Sequence, residues 1–320
     1  MDFYSCGTTF SLLTDENTRA DTFISSLLGI SRARVQRNIR NENLSVNGKI
    51  VTKNSFCKFA KGDIIEFEAD VPEQFSAEPE NIPLDIVFEN DDFIIINKPA
   101  DMLVHPGNGH PNGTLLNGLV NYLNLQNKSA KNPNFRAGLV HRIDKDTTGL
   151  LVVAKTEKTL EELSEKFSRH DIKREYFCIV WGKMKEPSGT VSTFHGRDPK
   201  NRLRFSPDVK NGRKAVTHYE VTGEFKYASM LKITLETGRT HQIRMHMKHL
   251  GHPIINDELY GGMRKSPDAA LNKLLAGSGR QLLHAGTLGF NLSGKDFLFK
   301  IPLPEDMEKV KDYLFKISGG

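Results

Sequence analysis

One polar block between two apolar runs constrains this chain more than any other feature. Residues 137–156 read Ala-Gly-Leu-Val-His-Arg-Ile-Asp-Lys-Asp-Thr-Thr-Gly-Leu-Leu-Val-Val-Ala-Lys-Thr. The runs at 139–140 and 150–154 are short, rich in Val and Leu, and separated by a glycine. That pattern predicts two buried strands joined by a tight loop carrying His141, Arg142, Asp144, Lys145, Asp146, Thr147 and Thr148. A loop at the end of a rigid strand is where a scaffold presents working side chains. Two carboxylates and three basic groups within residues 141–146 predict a carboxylate held ionised by neighbouring cations. The plainer reading is a braced turn, because Asp and Thr hydrogen-bond nearby backbone, and an isolated Asp-x-x-Thr is most often no more than that.

At 320 residues the chain has room for two domains, each able to bury a core. No apolar run approaches the ~20 residues of a membrane span. The opening Met-Asp-Phe-Tyr-Ser-Cys lacks the basic and apolar regions of a signal peptide. Cys6, Cys57 and Cys178 are unclustered and form no CxxC, which indicates neither a disulfide framework nor a zinc knuckle. A cytoplasmic location is the expectation. The net charge of +5 alone does not imply nucleic acid, but residues 31–40 carry four Arg and no acid.

Residues 1–17 are polar and uninformative and read as a partly disordered tail. Phe23, Ile24, Leu27 and Leu28 then recur at helical spacing up to a stop at Gly29. Ser31 suits the N-cap of a second helix, with Val35 and Ile39 inward and Arg32, Arg34, Arg37 and Arg40 mostly outward. Asn47-Gly48 between alternating apolar residues predicts a hairpin, since a type I′ turn needs positive φ at both central positions. Residues 64–67 form a further alternating strand. A basic helix is by default a solvated face. The order of these pieces, with Val-Asn-Gly-Lys at 46–49 and Lys-Gly-Asp at 61–63, nevertheless resembles an S4 RNA-binding domain over residues 18–70. The resemblance implies that Arg32, Arg34, Arg37, Arg40 and Lys49 contact RNA, where phosphate contacts supply affinity without reading sequence.

Residues 71–83 hold three prolines and three Glu and read as an extended linker; the domain boundaries are therefore set at 1–75, 76–84 and 85–320. Two strands with a turn at 90–92 open the second domain, followed by Lys98-Pro99 and His105-Pro106-Gly107. A helix is predicted at 114–125, a polar loop at 126–135, and a helix at 157–169 capped by Thr156. Residues 173–182 form a strand holding Tyr176, and 190–238 are strand-rich with basic loops. A helix of about three turns is predicted from Thr240 to Gly251. It places His241, Arg244 and Lys248 on one cationic face. His246 and His249 have ligand spacing, but the absence of a carboxylate beside them and the nearby cations argue against a metal. Residues 304–317 read as a C-terminal amphipathic helix.

The string His-Arg-Ile-Asp-x-x-Thr-x-Gly-Leu-Leu resembles the signature of the RluA-type pseudouridine synthases. Asn-Lys-Pro-x-x-x-x-Val-His-Pro-Gly, Lys-x-x-Tyr-x-x-x-Val-x-Gly, Thr-Gly-Arg-Thr-His-Gln-Ile-Arg and Leu-His-Ala resemble further family segments, so the likeness extends from about residue 18 almost to the end. Ile143 replaces the usual Leu and Thr148 the usual Ser, while Asp101 and Asn256 stand where Gly is common. The resemblance implies that Asp144 is catalytic, that Arg244 pairs with it, and that Tyr176 stacks on the target base and takes part in proton transfer. It further places Arg142 and His141 at the flipped nucleotide, with Ile243 and Leu283 as apolar wall. The implied fold is α+β: a small S4 domain, then a synthase domain with a mixed, mainly antiparallel sheet flanked by helices. The implied partner is RNA, ribosomal before transfer RNA, with no cofactor, metal or membrane, and the chain is expected to be a monomer.

Overall fold

The computed structural model describes every residue except 1–6, 12–18, 29–31, 41, 52–58, 60, 69–76, 108, 126–137, 208 and 320. The chain divides into two compact units, Met1–Ser76 and Ala77–Gly320.

The first unit runs β1 (Gly7–Ser11), α1 (Ala20–Leu28), α2 (Arg32–Arg40), β2 (Leu44–Val46), β3 (Lys49–Ile50) and β4 (Ile64–Glu68). Its sheet has the order β1-β4-β2-β3 with antiparallel neighbours. Ala20, Ile24, Val35 and Ile39 from the helices pack on Leu44, Phe59, Ile65 and Phe67. The hairpin turn forms as its sequence demands, with φ of 51° at Asn47 and 73° at Gly48. Within the stretch 1–17, expected to be a partly disordered tail, residues 7–11 form a strand that pairs along β4 from Glu68 back to Ile64. That strand is polar and lies at a sheet edge, so its place is set by its partner and not by its own pattern. Arg32 and Arg40 are exposed, and Arg32 also meets the buried carboxylate of Asp21 at 3.1 Å. The predicted cap at Ser31, the stop at Gly29, Cys6, Cys57 and the side chains of Arg34 and Arg37 lie outside the described residues.

The second unit begins with β5 (Ile86–Glu89), β6 (Phe93–Lys98), α3 (Leu115–Leu125), β7 (Thr148–Ala154) and α4 (Glu157–Arg169). It continues with β8 (Lys173–Trp181), β9 (Ser188–Arg197), β10 (Phe205–Ser206), β11 (Arg213–Glu224), β12 (Ala228–Leu235) and α5 (Gln242–His249). It ends with α6 (Ala269–Ser278), β13 (Leu283–Leu292), β14 (Lys295–Lys300) and α7 (Glu305–Ile317). Ten strands form one mixed sheet in the order β10-β9-β11-β12-β8-β13-β7-β6-β5, with β14 paired to β13. Among the described pairs only β7 and β13 run parallel, joined at His284↔Thr148 and Ala285↔Gly149.

The unbroken apolar runs of β6 and β7 follow from burial on both faces. Ile94, Ile96, Leu151 and Val153 meet Leu115, Leu119 and Leu123 of α3, while Phe93, Ile95, Leu150 and Val152 meet Leu163 of α4. Thr156 caps α4 as predicted, its hydroxyl accepting from the Thr159 amide. α6 and α7 pack Leu271, Leu275, Met307, Val310 and Leu314 against Ile179 and Trp181 of β8. α6 has no counterpart in the sequence reading, although Asp268 caps it.

Three further expectations change. Residues 139–140 are not a strand: Leu139 makes one bridge to Val153, and the Ala154 amide donates to Gly138. The run is too short for more before the polar block turns away. The linker predicted at 71–83 is anchored in its second half: Asn117 donates to the Glu78 carbonyl and accepts from Glu80, whose carboxylate takes the Gly113 amide. Residues 71–76 and the polar loop at 126–135 lie outside the described residues. Finally, α5 starts at Gln242 after a left-handed His241 with φ of 57°, so Thr240 is not its cap.

Candidate active site

The loop at 141–147 is held from several sides before it presents any side chain. Gly149, with φ of 118°, lets β7 touch β13; a Cβ there would lie 2.3 Å from the Ala285 carbonyl oxygen. Lys98, fully buried, donates from Nζ to the carbonyls of Pro99 (2.6 Å), Met102 (2.9 Å) and Lys145 (2.8 Å). Burial pulls its pKa down to about 8, against the opposing pull of Asp146 and Asp144. On the other side Arg280 pairs with Asp306 at 2.7 and 2.9 Å and donates to the Asp146 carbonyl at 3.2 Å. Thr148 and His284 share a hydrogen bond of 2.8 Å across the parallel join.

The loop opens into a cleft of about 570 Å³ that gathers Arg142, His141, Asp144, Tyr176, Ile243, Arg244 and Leu283. Asp144 Oδ2 accepts from Arg244 Nη1 at 3.0 Å. The other side of that guanidinium belongs to Asp257, fully buried, which accepts from Nε at 2.7 Å and Nη2 at 2.9 Å. Arg244 therefore lies between two carboxylates, with the Tyr260 ring 5.3 Å away. Burial opposes its charge, but Asp257 and then Asp144 outweigh burial and hold its pKa above the ordinary arginine value. The strained His241 adds to the group, its Nδ1 3.2 Å from the Tyr260 hydroxyl and its Nε2 3.9 Å from Asp144. Burial lowers the His241 pKa, so the ring sits beside Asp144 chiefly as a neutral group at neutral pH.

Tyr176 lies in the wall of the cleft with 8% of its surface exposed, and burial raises its phenol above the usual value. Ile243 and Leu283 are buried wall residues, and Arg142 stands exposed at the rim. His141 differs from its sequence-based placement at the nucleotide. Its Nε2 accepts the Val152 amide at 3.1 Å and its ring stacks on Phe167 at 4.4 Å, so the ring braces β7. Burial pushes its pKa down to about 3, which keeps that nitrogen an acceptor. The cationic face predicted for His241, Arg244 and Lys248 does not form, because Arg244 is buried and Lys248 exposed. His246 is held between the hydroxyls of Thr217 (2.7 Å) and Thr193 (3.0 Å), away from the exposed His249. Among the described residues no group of three or more His, Cys, Asp or Glu could hold a metal ion, and no helix could cross a membrane.

Asp257, Tyr260, Lys98 and Arg280 received no role from sequence reasoning. Asp257 and Tyr260 lie in an irregular stretch whose pattern carries no sign of burial, and the only local cue was an arginine on the α5 helix in need of an acid.

The chain belongs to the RNA pseudouridylate synthase family, whose sequence profile matches residues 92–249, and is thus an isomerase that converts uridine to pseudouridine in RNA. It is 42% identical over 282 residues to the ribosomal large subunit pseudouridine synthase D of Escherichia coli strain K12, covering 87% of this chain and 84% of that one. The protein of the same name from Vibrio parahaemolyticus is 40% identical over 304 residues, covering 93% and 91%. The solved structure of human RNA pseudouridylate synthase domain containing 4 shares the fold with a TM-score of 0.57 at 21% identity, covering 72% of this chain and 92% of that one.

Proposed function

We propose that this chain isomerises specific uridines of large-subunit ribosomal RNA, with Asp144 as the catalytic carboxylate. The observation that carries the reading is the clamp: Asp257 fixes Arg244 so that Nη1 meets Asp144 at 3.0 Å inside the cleft. The relatives named above act, by their names, on the ribosomal large subunit. Product and substrate are isomers, so the balance of the reaction requires no redox partner.

The reaction breaks C1′–N1, turns the uracil and joins C5 to C1′. A carboxylate stabilises an oxocarbenium-like ribose, as in glycosidases, and can either add to C1′ or take the 2′ proton. Arg244 fixes the Asp144 rotamer through a charge-assisted hydrogen bond. Tyr176 provides the aromatic face for the base and a group for proton transfer, between apolar walls at Ile243 and Leu283. The target uridine leaves its stack at a cost of a few kcal/mol, smaller in loops, and Arg142 at the rim holds the flipped nucleotide. Residues 1–75 act as an S4-like RNA-binding unit through Arg32, Arg34, Arg37, Arg40 and Lys49. The enzyme works as a monomer in the cytoplasm.

The test is carbodiimide mapping of pseudouridine in ribosomal and transfer RNA from cells carrying the intact gene or Asp144→Asn. A ribosomal site that vanishes with the substitution supports the proposal. A site lost from transfer RNA instead would move the substrate, and no lost site with normal expression would leave an RNA-binding factor without this activity.

A further inference from the structure

Arg174 is a buried cation that the clamp does not use. It sits on β8 two residues before Tyr176, so the two side chains share one face of the strand, and both line the cleft. Its residue surface is 7% exposed, yet Nε and Nη2 are buried without a hydrogen-bond partner. The Phe167 ring lies 5.6 Å from the guanidinium carbon. A Cβ on Gly238 would come within 2.6 Å of Nη1, so the backbone after β12 closes over the group and holds it in the cleft. The neighbouring acid, Glu175, belongs to the opposite face and pairs with Lys173 at 3.3 Å. A buried charge without a partner is costly, and folded proteins leave few such groups unless a site needs them. Arg244 is the contrasting case, since two carboxylates already occupy it.

We infer that Arg174 donates hydrogen bonds to the uracil and takes up the negative charge that develops there when the glycosidic bond breaks. The inference rests on the pseudouridine synthase reading of this cleft. C1′–N1 breaks with its electron pair passing to the ring, where the charge spreads from N1 onto O2 and O4. C5 then bonds to C1′, one proton leaves C5 and one arrives at N1, and no electrons are lost or gained. A guanidinium held in a dry wall beside Tyr176 stabilises that anion without reorganising. A backbone phosphate is the less suitable ligand. The ribose separates it from the base, and the exposed Arg142 at the rim is better placed to meet it.

The experiment uses the full chain with Arg174→Met and Arg174→Lys on an RNA that the wild type modifies. Single-turnover rates at saturating RNA, RNA affinity across a salt series, and thermal melting are measured together. Arg174→Met is expected to slow the reaction by about 10²–10³-fold, as for loss of one oxyanion donor, with affinity and salt slope unchanged. Its melting temperature is expected to equal or exceed that of the wild type, because an unpaired buried charge is gone. Arg174→Lys should recover part of the rate. With 5-fluorouridine at the target, whose uracil is the better leaving group, the rate of bond cleavage should depend less on Arg174. Weaker binding with a salt slope lower by about one, at an unchanged saturated rate, would overturn the inference in favour of a phosphate contact. A lower melting temperature with equal losses on both substrates would overturn it in favour of packing. If the wild type forms no pseudouridine, the functional reading fails; if it does and Arg174→Met keeps the rate, only this inference fails.

Discussion

Asp257 grips Arg244 through both carboxylate oxygens and so leaves Nη1 as the nitrogen that reaches Asp144. A single ammonium on a flexible stem cannot hold two carboxylates in that fork geometry. Arg244→Lys is therefore expected to lower the single-turnover rate by about 10²-fold or more while preserving the net charge. Asp257→Ala should in addition lower stability by about 3–5 kcal/mol, since it strips a buried cation of its main partner. Denaturant melts and rate measurements on both variants check this. Near-normal turnover in Arg244→Lys would remove the clamp from the mechanism.

Lys98 bonds three carbonyls with three N–H groups, which only the charged amine possesses. With a pKa near 8, its deprotonation removes one donor and slackens the hold on the Lys145 carbonyl. The rate is expected to decline above about pH 8, and Lys98→Met should be slow at every pH without that limb. The folded value lies below 10.5, so the unfolded chain binds this proton more tightly. Lys98 thus favours folding increasingly as pH rises from 8 toward 10.5, and the decline is not unfolding caused by this group. A flat alkaline profile would contradict the assignment.

Three histidines make the catalytic unit sensitive to acid. Burial pushes His141 to about 3 and both His246 and His284 to about 4, against 6.5 for the free side chain. The unfolded chain takes up these protons first as pH falls. Their contribution is complete above pH 6.5 and is lost on descent toward 4 for His246 and His284 and toward 3 for His141, each by up to about 1.4 kcal/mol per pH unit. Melting temperature is expected to drop between pH 7 and 5, and less steeply in His246→Gln. A melting temperature independent of pH over that interval would refute the account.

Asp101 and Asn256 occupy left-handed backbone, with φ of 61° and 62°. Asp and Asn are the non-glycine side chains that best tolerate this conformation. Asn256→Val is expected to cost about 1–2 kcal/mol, whereas Asn256→Gly loses only the bond to the Leu275 carbonyl. Equal melting curves for the two variants would argue against backbone strain at this position.

Charge reversal at Arg40 and Lys49 in the full chain tests the proposed RNA-binding unit. Both side chains are exposed. The double variant should bind RNA more weakly, with a salt slope lower by about two, while the saturated rate is kept. An unchanged slope would take these residues out of the interface.

Much of this was legible in the sequence where local rules govern. β6, β7 and β8 follow from β-branched runs, the first hairpin from Asn47-Gly48, and α4 from its Thr156 cap. Asp144, Tyr176 and Arg244 were located by motif, and the structure brings them to one cleft. The losses lie where a distant contact decides. α5 begins at Gln242 because that side chain accepts from Thr237 and the Arg239 amide and donates to Val216 and Thr217, a tertiary plug that overrides the capping chemistry of Thr240. β1 takes its place from β4, and Asp257 acquires its meaning only when its irregular loop folds onto Arg244. The resemblance placed His141 at the nucleotide, yet its nitrogen serves the backbone of β7.

The parallel join between β7 and β13 also sets when, during synthesis, the enzyme can begin to work. Asp144 precedes β7, whereas Tyr176 lies on β8, and β13 stands between those two strands. A ribosome-bound chain that ends before Leu283 already carries Asp144, Tyr176, Arg244 and Asp257, but not the strand that joins their two halves of the sheet. A nascent chain is thus expected to stay silent until β13 can join the sheet, even though every side chain of the clamp has already been made.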